Sequence, residues 1–393
     1  MNNNNYVNIA VCGRFHYHNY IEQIYLKGLL NKFYYSHPRD ILTQLNSTGK
    51  IKNYKLKEYL TRLHLRLMGN SFIEELYPIY HDIWQFEVLK NWTSSKVLHI
   101  LLHGTGIKLI QKAKQEGTVV LGDLVNSHPM ERSDILTPEY LRLGIQNKNS
   151  RATKIPLRIK RLISEVELCD YYLSPSTFVT NSYVKRGIPE KKIFTVPYGI
   201  NYSRFYTNKS KVSSAVPSLF TVVCTGSISV RKGQIYLLEA WKKLKLQNAQ
   251  LILIGKIEKD ILSIIEPYRK LFIHYDYVDN AELIKIYNSC KLFILPTLEE
   301  GLAVSILEAL GCGLPVITTP NSGASTLIKN NAHGYIIPSF SSQVLADKIL
   351  HLFNHSEELE NMRCQVIKDF GQNLSWENYA IELQTIYSQL IGI

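Results

Sequence analysis

Two glutamates stand in a pattern that could bind a sugar. Glu300 is followed directly by a glycine, and seven residues separate it from Glu308. Carboxylates accept hydrogen bonds and can bind paired hydroxyls, so two of them can hold a hexose and a ribose together. Free backbone N–H groups at a predicted helix start would face phosphate or developing negative charge. These N–H groups belong to Gly301, Leu302, Ala303 and Val304. Taken alone, each glutamate is equally expected as an ordinary helix residue.

A second motif is a glycine loop that carries two cations. It runs from Gly226 and Ser227 to Arg231 and Lys232, after an apolar run and before an amphipathic segment. Glycine lets the backbone approach a ligand closely, the following helix start offers N–H groups, and the two cations supply charge for a diphosphate. The loop is neither a Walker loop nor a dinucleotide-binding fingerprint. A plain strand-to-helix turn with two surface cations is the alternative.

The elements that must position these motifs alternate between short apolar runs and longer amphipathic segments. This alternation predicts an α/β protein with doubly wound parallel sheets. Strands are predicted at 7–12, 97–102, 118–121, 171–173, 220–225, 250–254, 272–275, 292–295, 315–318 and 334–337, and helices at 21–30 and 57–68. Ligands of such sheets bind outside the carboxyl ends of the strands. Both motifs directly follow predicted strands, which places them there.

The length of 393 residues favours two domains. A polar segment rich in serine and lysine, 208–217, interrupts the alternation and is the predicted linker. We therefore predict an N-terminal domain at 1–207, a C-terminal domain at 208–370 and a last helix at 371–393.

The net charge of +12 is concentrated in two segments before residue 165. They contain Lys50, Lys52, Lys55, Lys57, Arg62 and Arg66, and Arg151, Lys154, Arg158, Lys160 and Arg161. A solvated surface explains such charge as well as an anionic partner does. Among anionic partners, a phosphate-bearing substrate or a membrane surface is a better prediction than nucleic acid, because no nucleic-acid motif accompanies the charge.

The remaining composition indicates a cytoplasmic location. The longest apolar runs are strand-length, far below the ~20 residues of a membrane span, and residues 1–5 carry no secretory signal. The six cysteines have no spacing typical of zinc or a redox pair, so we expect buried free thiols in a reducing compartment. They are Cys12, Cys169, Cys224, Cys290, Cys312 and Cys364.

Taken in order, the motifs resemble the retaining glycosyltransferases of family 4, the glycosyltransferase group 1 proteins. Besides the two loops, the resemblance includes the segment 196–201 (Val-Pro-Tyr-Gly-Ile-Asn) with Phe205, the segment 313–317 (Gly-Leu-Pro-Val-Ile) and Ser322-Gly323. It covers the C-terminal half nearly end to end.

This resemblance implies a GT-B fold, in which two Rossmann-like doubly wound domains face a central cleft. The N-terminal domain would bind the acceptor and the C-terminal domain the nucleotide sugar. Arg231 and Lys232 would hold the donor pyrophosphate, while Glu300 would contact the transferred sugar and Glu308 the ribose. Ser227 stands where many relatives carry an arginine, which makes Arg231 the candidate for the second cation.

The resemblance also implies a mechanism. The leaving diphosphate would help to deprotonate the acceptor hydroxyl during front-face attack by that hydroxyl, so that neither a side-chain nucleophile, a metal ion nor a cofactor is needed. The co-substrate would be a nucleotide diphosphate sugar, with a UDP-sugar favoured over a GDP-sugar. A glycan or lipid-linked acceptor would serve bacterial surface polysaccharide synthesis at the inner face of the plasma membrane. The alternatives are a non-catalytic nucleotide-sugar binding or scaffold protein, and an epimerase or phosphorylase.

The N-terminal half resembles such enzymes more loosely. Gly13 begins a loop that resembles the one approaching the donor phosphate, and the segment 123–129, with Glu139 downstream, resembles one that lines the cleft in a bacterial subgroup. On that basis His128 is the predicted active-site histidine. His16 and His103 are weaker candidates, because a lone histidine is more often structural. Trp376 and the amphipathic run after it resemble the helix that crosses back onto the first domain.

Overall fold

The computed structural model describes residues 6–13, 15–69, 71–145, 156–201, 205, 219–370 and 374–392. The first half contains β1 (Val7–Val11), α1 (Ile21–Leu26), β2 (Leu30–Tyr35), β3 (Ile51–Asn53), α2 (Leu56–Met68), α3 (Ile73–Lys90), β4 (Val97–Leu101), α4 (Ile107–Gln115), β5 (Val119–Asp123), α5 (Pro129–Arg142), α6 (Leu157–Leu168), β6 (Tyr171–Ser174), α7 (Thr177–Val184) and β7 (Ile193–Thr195). The second half contains β8 (Phe220–Thr225), α8 (Gln234–Leu244), β9 (Ala249–Ile254), α9 (Leu262–Ile265), β10 (Ile273–Tyr275), α10 (Asn280–Ser289), β11 (Leu292–Leu295), α11 (Val304–Gly311), β12 (Val316–Thr318), β13 (Gly334–Ile336), α12 (Ser342–Asn354), α13 (Ser356–Phe370) and α14 (Trp376–Ile391).

The strands form two parallel sheets. The first has seven strands in the order β3-β2-β1-β4-β5-β6-β7, and the second has six in the order β10-β9-β8-β11-β12-β13. Strands covered on both faces read as continuous apolar runs, and β11 (Leu-Phe-Ile-Leu) is buried at all four positions. The predicted α/β architecture with doubly wound sheets is therefore confirmed.

The strand order reverses beside the first strand of each sheet. In the first sheet β1 lies between β2 and β4, and in the second sheet β8 lies between β9 and β11. At β1 and at β8, the connections to the neighbouring strands run toward opposite edges of the sheet. A crevice therefore opens at the carboxyl ends of these two strands. The loop that starts at Gly13 follows β1, and the loop that starts at Gly226 follows β8.

The carboxyl edges of the two sheets face each other and are in contact. The hydroxyl of Ser127, after β5, donates to Glu299 Oε1 over 2.6 Å. The hydroxyl of Ser176 donates to the Gly301 carbonyl over 2.6 Å. A Cβ at Gly301 would lie 1.9 Å from the Val125 carbonyl oxygen, so only glycine permits this approach.

Helix α14 lies against the first sheet, although it follows the second in the chain. The Tyr387 hydroxyl lies 2.7 Å from His99 Nδ1 on β4, and the Trp376 ring stacks on His16 with 5.4 Å between centroids. Ser375 caps the helix by accepting the Asn378 N–H over 3.1 Å. Within the described ranges, no helix is both long and apolar enough to cross a membrane.

Several elements differ from the sequence-based expectation. The helix predicted at 21–30 ends at Leu26, because Gly28 turns the chain with φ of 72° and Leu30 already begins β2. Strands β2, β3 and β7 were not predicted. The cysteines are free thiols as expected, and five are buried, but Cys364 is exposed. The predicted linker 208–217 lies outside the described residues, so the domain boundaries stay predictions.

Candidate active site

Lys232 and Arg231 converge on Glu300, which lies 68 residues further along the chain than Lys232. Lys232 Nζ contacts Glu300 Oε2 directly, and Arg231 Nη1 lies 2.9 Å from the same oxygen. Burial raises the pKa of Glu300, but the two neighbouring cations outweigh it, so the pKa lies below the usual value. Glu300 is therefore an ionised carboxylate between two cations. The convergence of these three predicted site residues is the central feature of the cleft.

Hydrogen bonds and close backbone packing hold the loop after β8 against the loop after β11. The Leu298 N–H donates to the Arg231 carbonyl over 2.9 Å, and Arg231 Nη1 donates to the Glu299 carbonyl over 3.1 Å. Gly233 has φ of 68°, and a Cβ there would lie 2.0 Å from the Pro296 carbonyl oxygen. The loop that starts at Gly226 thus packs directly on the loop after β11.

Gly226 leaves room for the Lys232 side chain. Its φ is 126°, and a Cβ at this position would lie 3.8 Å from Lys232 Nζ. The adjacent Ser227 presents its carbonyl to Gln234 Nε2, which donates to it over 3.0 Å. The loop therefore brings the Lys232 ammonium group close to the backbone of Gly226, where glycine supplies the positive φ.

Glu299 is a buried carboxylate that the sequence analysis did not single out. Besides the Ser127 hydroxyl on Oε1, it has Arg132 Nε and Arg231 Nη1 each 3.7 Å from Oε2. No hydrogen bond from a described residue reaches that second oxygen. The only sequence signal was the adjacency of two glutamates at a strand end. Glu299 thus lies between Arg231 of the second half and Ser127 and Arg132 of the first half.

Glu308 lies on α11, toward β8. Burial raises its pKa to about 7. Its charge adds to burial in raising the pKa of Tyr287, whose hydroxyl lies 2.7 Å from Thr225 Oγ1 at the end of β8. Glu308 therefore lies near Tyr287, which contacts the end of the strand from which the Gly226 loop departs.

The backbone N–H groups at the start of α11 differ in their hydrogen bonds. Of the four predicted to face phosphate, that of Ala303 donates to the Ser322 carbonyl over 3.0 Å. The Glu300 N–H donates to the Asn321 carbonyl over 2.9 Å. Gly301 and Leu302 lie in the turn before the helix, and Val304 is its first residue.

On the facing sheet, Gly13 lies at an open position. Its N–H donates to Ser36 Oγ over 2.8 Å, its φ is 111°, and no described atom lies within 4 Å of a Cβ built there. The arginine that follows it lies outside the described residues. His16 belongs to an aromatic cluster with Tyr198 and Trp376, which fits a packing residue.

His128 caps helix α5. Its Nδ1 accepts the Met130 N–H over 3.2 Å, and its own N–H donates to Ser182 Oγ over 2.9 Å. Burial, with a smaller effect of Arg186, lowers its pKa to about 4. The ring is therefore neutral at pH 7, and because Nδ1 accepts, Nε2 carries the proton. The contacts described for its side chain lie within its own sheet, so its active-site role stays a prediction.

A cavity of about 250 Å³ continues the cleft into the first half of the chain. Its wall includes Asn126 and Ser127 on one side, and His103, Arg132 and Arg158 on others. None of the described residues lining it is an aspartate or glutamate. Because Ser127 also contacts Glu299, the cavity lies next to the cation cluster.

The loop after β4 that carries His103 is held by one buried carboxylate. Glu165 Oε2 accepts the N–H groups of His103 over 3.0 Å and Gly104 over 2.6 Å, and Oε1 accepts that of Gly106. Burial raises the pKa of Glu165 to about 7 despite these bonds, and burial lowers the pKa of His103 to about 4. The cavity wall is thus rigid and its histidine neutral.

Among the described residues, no group of three or more His, Cys, Asp or Glu side chains has the arrangement of a metal site. The charge facing the cleft is supplied by the arginines and lysine described above.

Known proteins share both the sequence motifs and the fold. Residues 207–369 match the family model described as glycosyl transferases group 1. A putative colanic acid biosynthesis glycosyltransferase, WcaL of Salmonella typhimurium, is 26% identical over 217 residues, which cover 51% of this chain and 53% of the relative. The capsular polysaccharide biosynthesis glycosyltransferase CapM of Staphylococcus aureus is 28% identical over 210 residues, which cover 49% and 53%. The chain spans about half the length of these relatives.

Solved structures resemble the chain over nearly its whole length. Sucrose-phosphate synthase of Thermosynechococcus elongatus matches with a TM-score of 0.68 at 15% identity, over 98% of this chain and 99% of that one. Anabaena HepE, solved in complex with UDP, matches with a TM-score of 0.66 at 14% identity, over 97% and 100%. The chain therefore has the GT-B fold, and its residues 207–369 match the glycosyl transferases group 1 family.

Proposed function

We propose that this chain transfers a sugar from a nucleotide diphosphate sugar to a glycan or lipid-linked acceptor in bacterial surface polysaccharide synthesis. The observation that carries the proposal is the convergence of Lys232 and Arg231 on Glu300 between the facing sheets. The names of the matched relatives, which concern colanic acid and capsular polysaccharide, support the same class of product.

On the donor side, the two cations would hold the diphosphate. Lys232 and Arg231 both contact one anion, the Glu300 carboxylate. An incoming diphosphate would take over part of these contacts and leave Glu300 to accept hydrogen bonds from the transferred sugar. Glu308 would accept the ribose hydroxyls. We favour a UDP-sugar over a GDP-sugar, which the complex of Anabaena HepE with UDP supports.

The reaction we propose is a retaining, metal-independent hexosyl transfer. The acceptor hydroxyl attacks the anomeric carbon from the side of the departing diphosphate. The bond between that carbon and the diphosphate oxygen breaks, the diphosphate takes the hydroxyl proton, and the new glycosidic bond forms. Charge growing on the leaving phosphate is stabilised by Arg231, Lys232 and the first N–H groups of α11. The protein positions the reactants between two preformed edges. The charge that a metal would supply is supplied by these two side chains.

On the acceptor side, we propose that the cavity beside Ser127 binds the acceptor, which gives the predicted N-terminal domain its role. Arg132 and Arg158 line this cavity, and the described lining includes no carboxylate. The buried Nε of Arg158 has no described hydrogen-bond partner. Arg132 lies 3.7 Å from Glu299 Oε2, so Arg158 is the cation that is free, among the described residues, to bind an acceptor with a negative group, such as the phosphate of a lipid-linked sugar. His128 would donate from Nε2 to a substrate oxygen.

A nucleotide-binding experiment with matched variants tests the donor site. We expect UDP to raise the melting temperature of the protein, and Lys232→Ala to weaken UDP binding at least tenfold. The control Lys243→Ala, on the outer helix α8, keeps the wild-type affinity because its described partner is only Gln343. A Lys232→Ala protein that binds UDP as tightly as wild type would exclude the proposed donor site.

Turnover distinguishes the enzyme from a scaffold of the same fold. With UDP-sugars and a panel of glycan and lipid-diphosphate-linked acceptors, we expect acceptor-dependent release of UDP, lowered ~10²-fold by Lys232→Ala. Binding of UDP without any acceptor-dependent release across the panel would favour the non-catalytic alternative.

A further inference from the structure

Helix α2 has its polar face inside and its apolar face outside. The positions that turn into the protein are Lys57, Thr61 and His64, which are all buried. The positions that turn to solvent include Leu56, Tyr59, Leu63 and Leu67. An ordinary surface helix shows the opposite arrangement. The outward leucines therefore need an explanation other than packing against this chain.

The polar contacts of α2 fix its orientation. Lys57 Nζ lies 2.8 Å from Glu58 Oε1, which accepts the Ser36 hydroxyl over 2.8 Å. Further along the helix, His64 Nε2 lies 2.7 Å from the Ser71 carbonyl and Nδ1 lies 3.0 Å from the Tyr80 hydroxyl. Rotating the helix to bury its leucines would break the three contacts that join α2 to Ser36, Ser71 and Tyr80.

The apolar surface continues through the turn into α3. Leu67 is 72% exposed and Phe72 is 64% exposed. Phe72 has φ of 56°, a left-handed conformation that is rare for a bulky residue. Conformations of this kind occur where a side chain has a function. Other large apolar side chains exposed on these two helices are Leu65, Met68, Ile79 and Phe86.

The charge on the outer side of α2 has one sign. Arg62 and Arg66 are exposed between the leucines. The single carboxylate within the helix is Glu58, which is occupied by Lys57 and Ser36. A second copy of this chain, docked symmetrically, would bring these arginines toward each other. An anionic lipid surface would instead complement them.

We propose that the surface formed by Leu63, Leu67, Phe72, Arg62 and Arg66, which we name the α2 tip, docks on anionic membranes. Its apolar side chains would enter the headgroup boundary while its arginines bind lipid phosphates, as in interfacial amphipathic helices. This inference goes beyond the proposed transfer reaction and does not rest on it.

The structure reassigns the charge that the sequence suggested for such a contact. Lys57 is buried in its ion pair, Lys55 Nζ lies 2.9 Å from Asp40, and Lys50 donates to the Leu30 carbonyl. Arg161 pairs with Asp82. Among the described basic residues of helix α2 itself, Arg62 and Arg66 are exposed and lie between the exposed leucines.

A short chain of contacts joins the α2 tip to the cleft. Glu58, in the first turn of α2, accepts from Ser36, and Ser36 accepts the N–H of Gly13 at the end of β1. Docking through α2 would therefore hold the cleft at a fixed short distance from the membrane, where a lipid-linked group can reach it.

Flotation with vesicles that contain no sugar substrate tests the docking. We expect the wild-type protein to float with vesicles of phosphatidylglycerol and phosphatidylcholine but not with phosphatidylcholine alone, and to dissociate in high salt. Arg62→Gln with Arg66→Gln should weaken binding about tenfold or more. Leu67→Ser with Phe72→Ser should weaken it at least as much, since both side chains are exposed and their loss leaves the fold intact.

Matched controls distinguish binding through the α2 tip from nonspecific membrane binding by other exposed apolar or basic side chains. Leu26→Ser removes a leucine of similar exposure, 73%, from the end of α1, and Lys243→Gln with Lys245→Gln removes two charges from the C-terminal end of α8 and the residue that follows it. Both controls should float like wild type. Equal loss in the controls, or no anionic binding by wild type, would overturn the proposal. So would a concentration-dependent dimer, seen by ultracentrifugation, that Leu67→Ser abolishes.

Discussion

The hydroxyl of Ser127 donates to the buried carboxylate of Glu299 across the gap between the two sheets, over 2.6 Å. Glu299 also lies 3.7 Å from Arg231 Nη1, which in turn binds Glu300. A change in the separation of the sheets would therefore act directly on the cation that we assign to the donor phosphate. The structure couples closure of the cleft to the arrangement of the donor site.

Replacing Ser127 by alanine should loosen that contact. It would leave one oxygen of a buried carboxylate without its donor, which costs about 1–3 kcal/mol when the group stays buried. Since water can satisfy Glu299 if the sheets separate, we expect the protein to shift toward an open arrangement. Small-angle scattering should show a larger radius of gyration, whereas Ser133→Ala, in the same cavity wall, should match wild type. An unchanged radius would show that this bond does not hold the sheets.

Gly301→Ala should have a stronger effect in the same direction. A Cβ there would lie 1.9 Å from the Val125 carbonyl oxygen on the opposite sheet, a distance that no relaxation of side chains can relieve. We expect each half to stay folded, with the far-ultraviolet circular dichroism unchanged, while acceptor-dependent UDP release falls at least tenfold. Ser305→Ala, near the start of α11, is the control. Full turnover by Gly301→Ala would mean that the reaction does not need the closed arrangement.

Glu300→Gln should separate binding from turnover. The substitution removes the anion that neutralises Lys232 and Arg231, so UDP should bind as tightly as before or more tightly. Loss of the carboxylate that faces the transferred sugar should still lower the rate of transfer ~10²-fold. Titration calorimetry and the UDP-release assay measure the two effects, and Glu282→Gln, on the exposed face of α10, should change neither. Weaker UDP binding by Glu300→Gln would contradict the assigned role.

Much of the fold was predictable because its strands are apolar runs. The strands at 220–225 and 292–295 were predicted with their observed bounds, and the motifs after them placed Lys232 and Glu300 at the correct edge of the sheet. Strand β2 was missed because its sequence, Leu-Asn-Lys-Phe-Tyr-Tyr, contains two polar residues. That pattern could not be told from the end of the preceding helix.

The site was less predictable, because its partners come from both sheets. The bond from Ser127 to Glu299 joins residues 172 positions apart. No local sequence pattern around either residue predicts that the two are in contact. The burial of Lys57 was equally hidden, since alternation of lysines in a helix reads as a solvated face. Only the packing of α2 on α3 decides which of its faces is inside.

The pKa of Glu308 predicts that donor binding releases protons near neutral pH. Burial raises this pKa to about 7, so Glu308 gains or loses its proton near neutral pH. Ribose hydroxyls donate to the ionised form and would lower the pKa on binding, so UDP affinity should rise as pH increases from 6 to 8. Glu300 stays ionised throughout, because its pKa lies below the usual value. Calorimetry in buffers of different ionisation enthalpy should show this proton release in wild type and lose it in Glu308→Gln. Equal release by both proteins would assign the proton to another group and remove Glu308 from the ribose site.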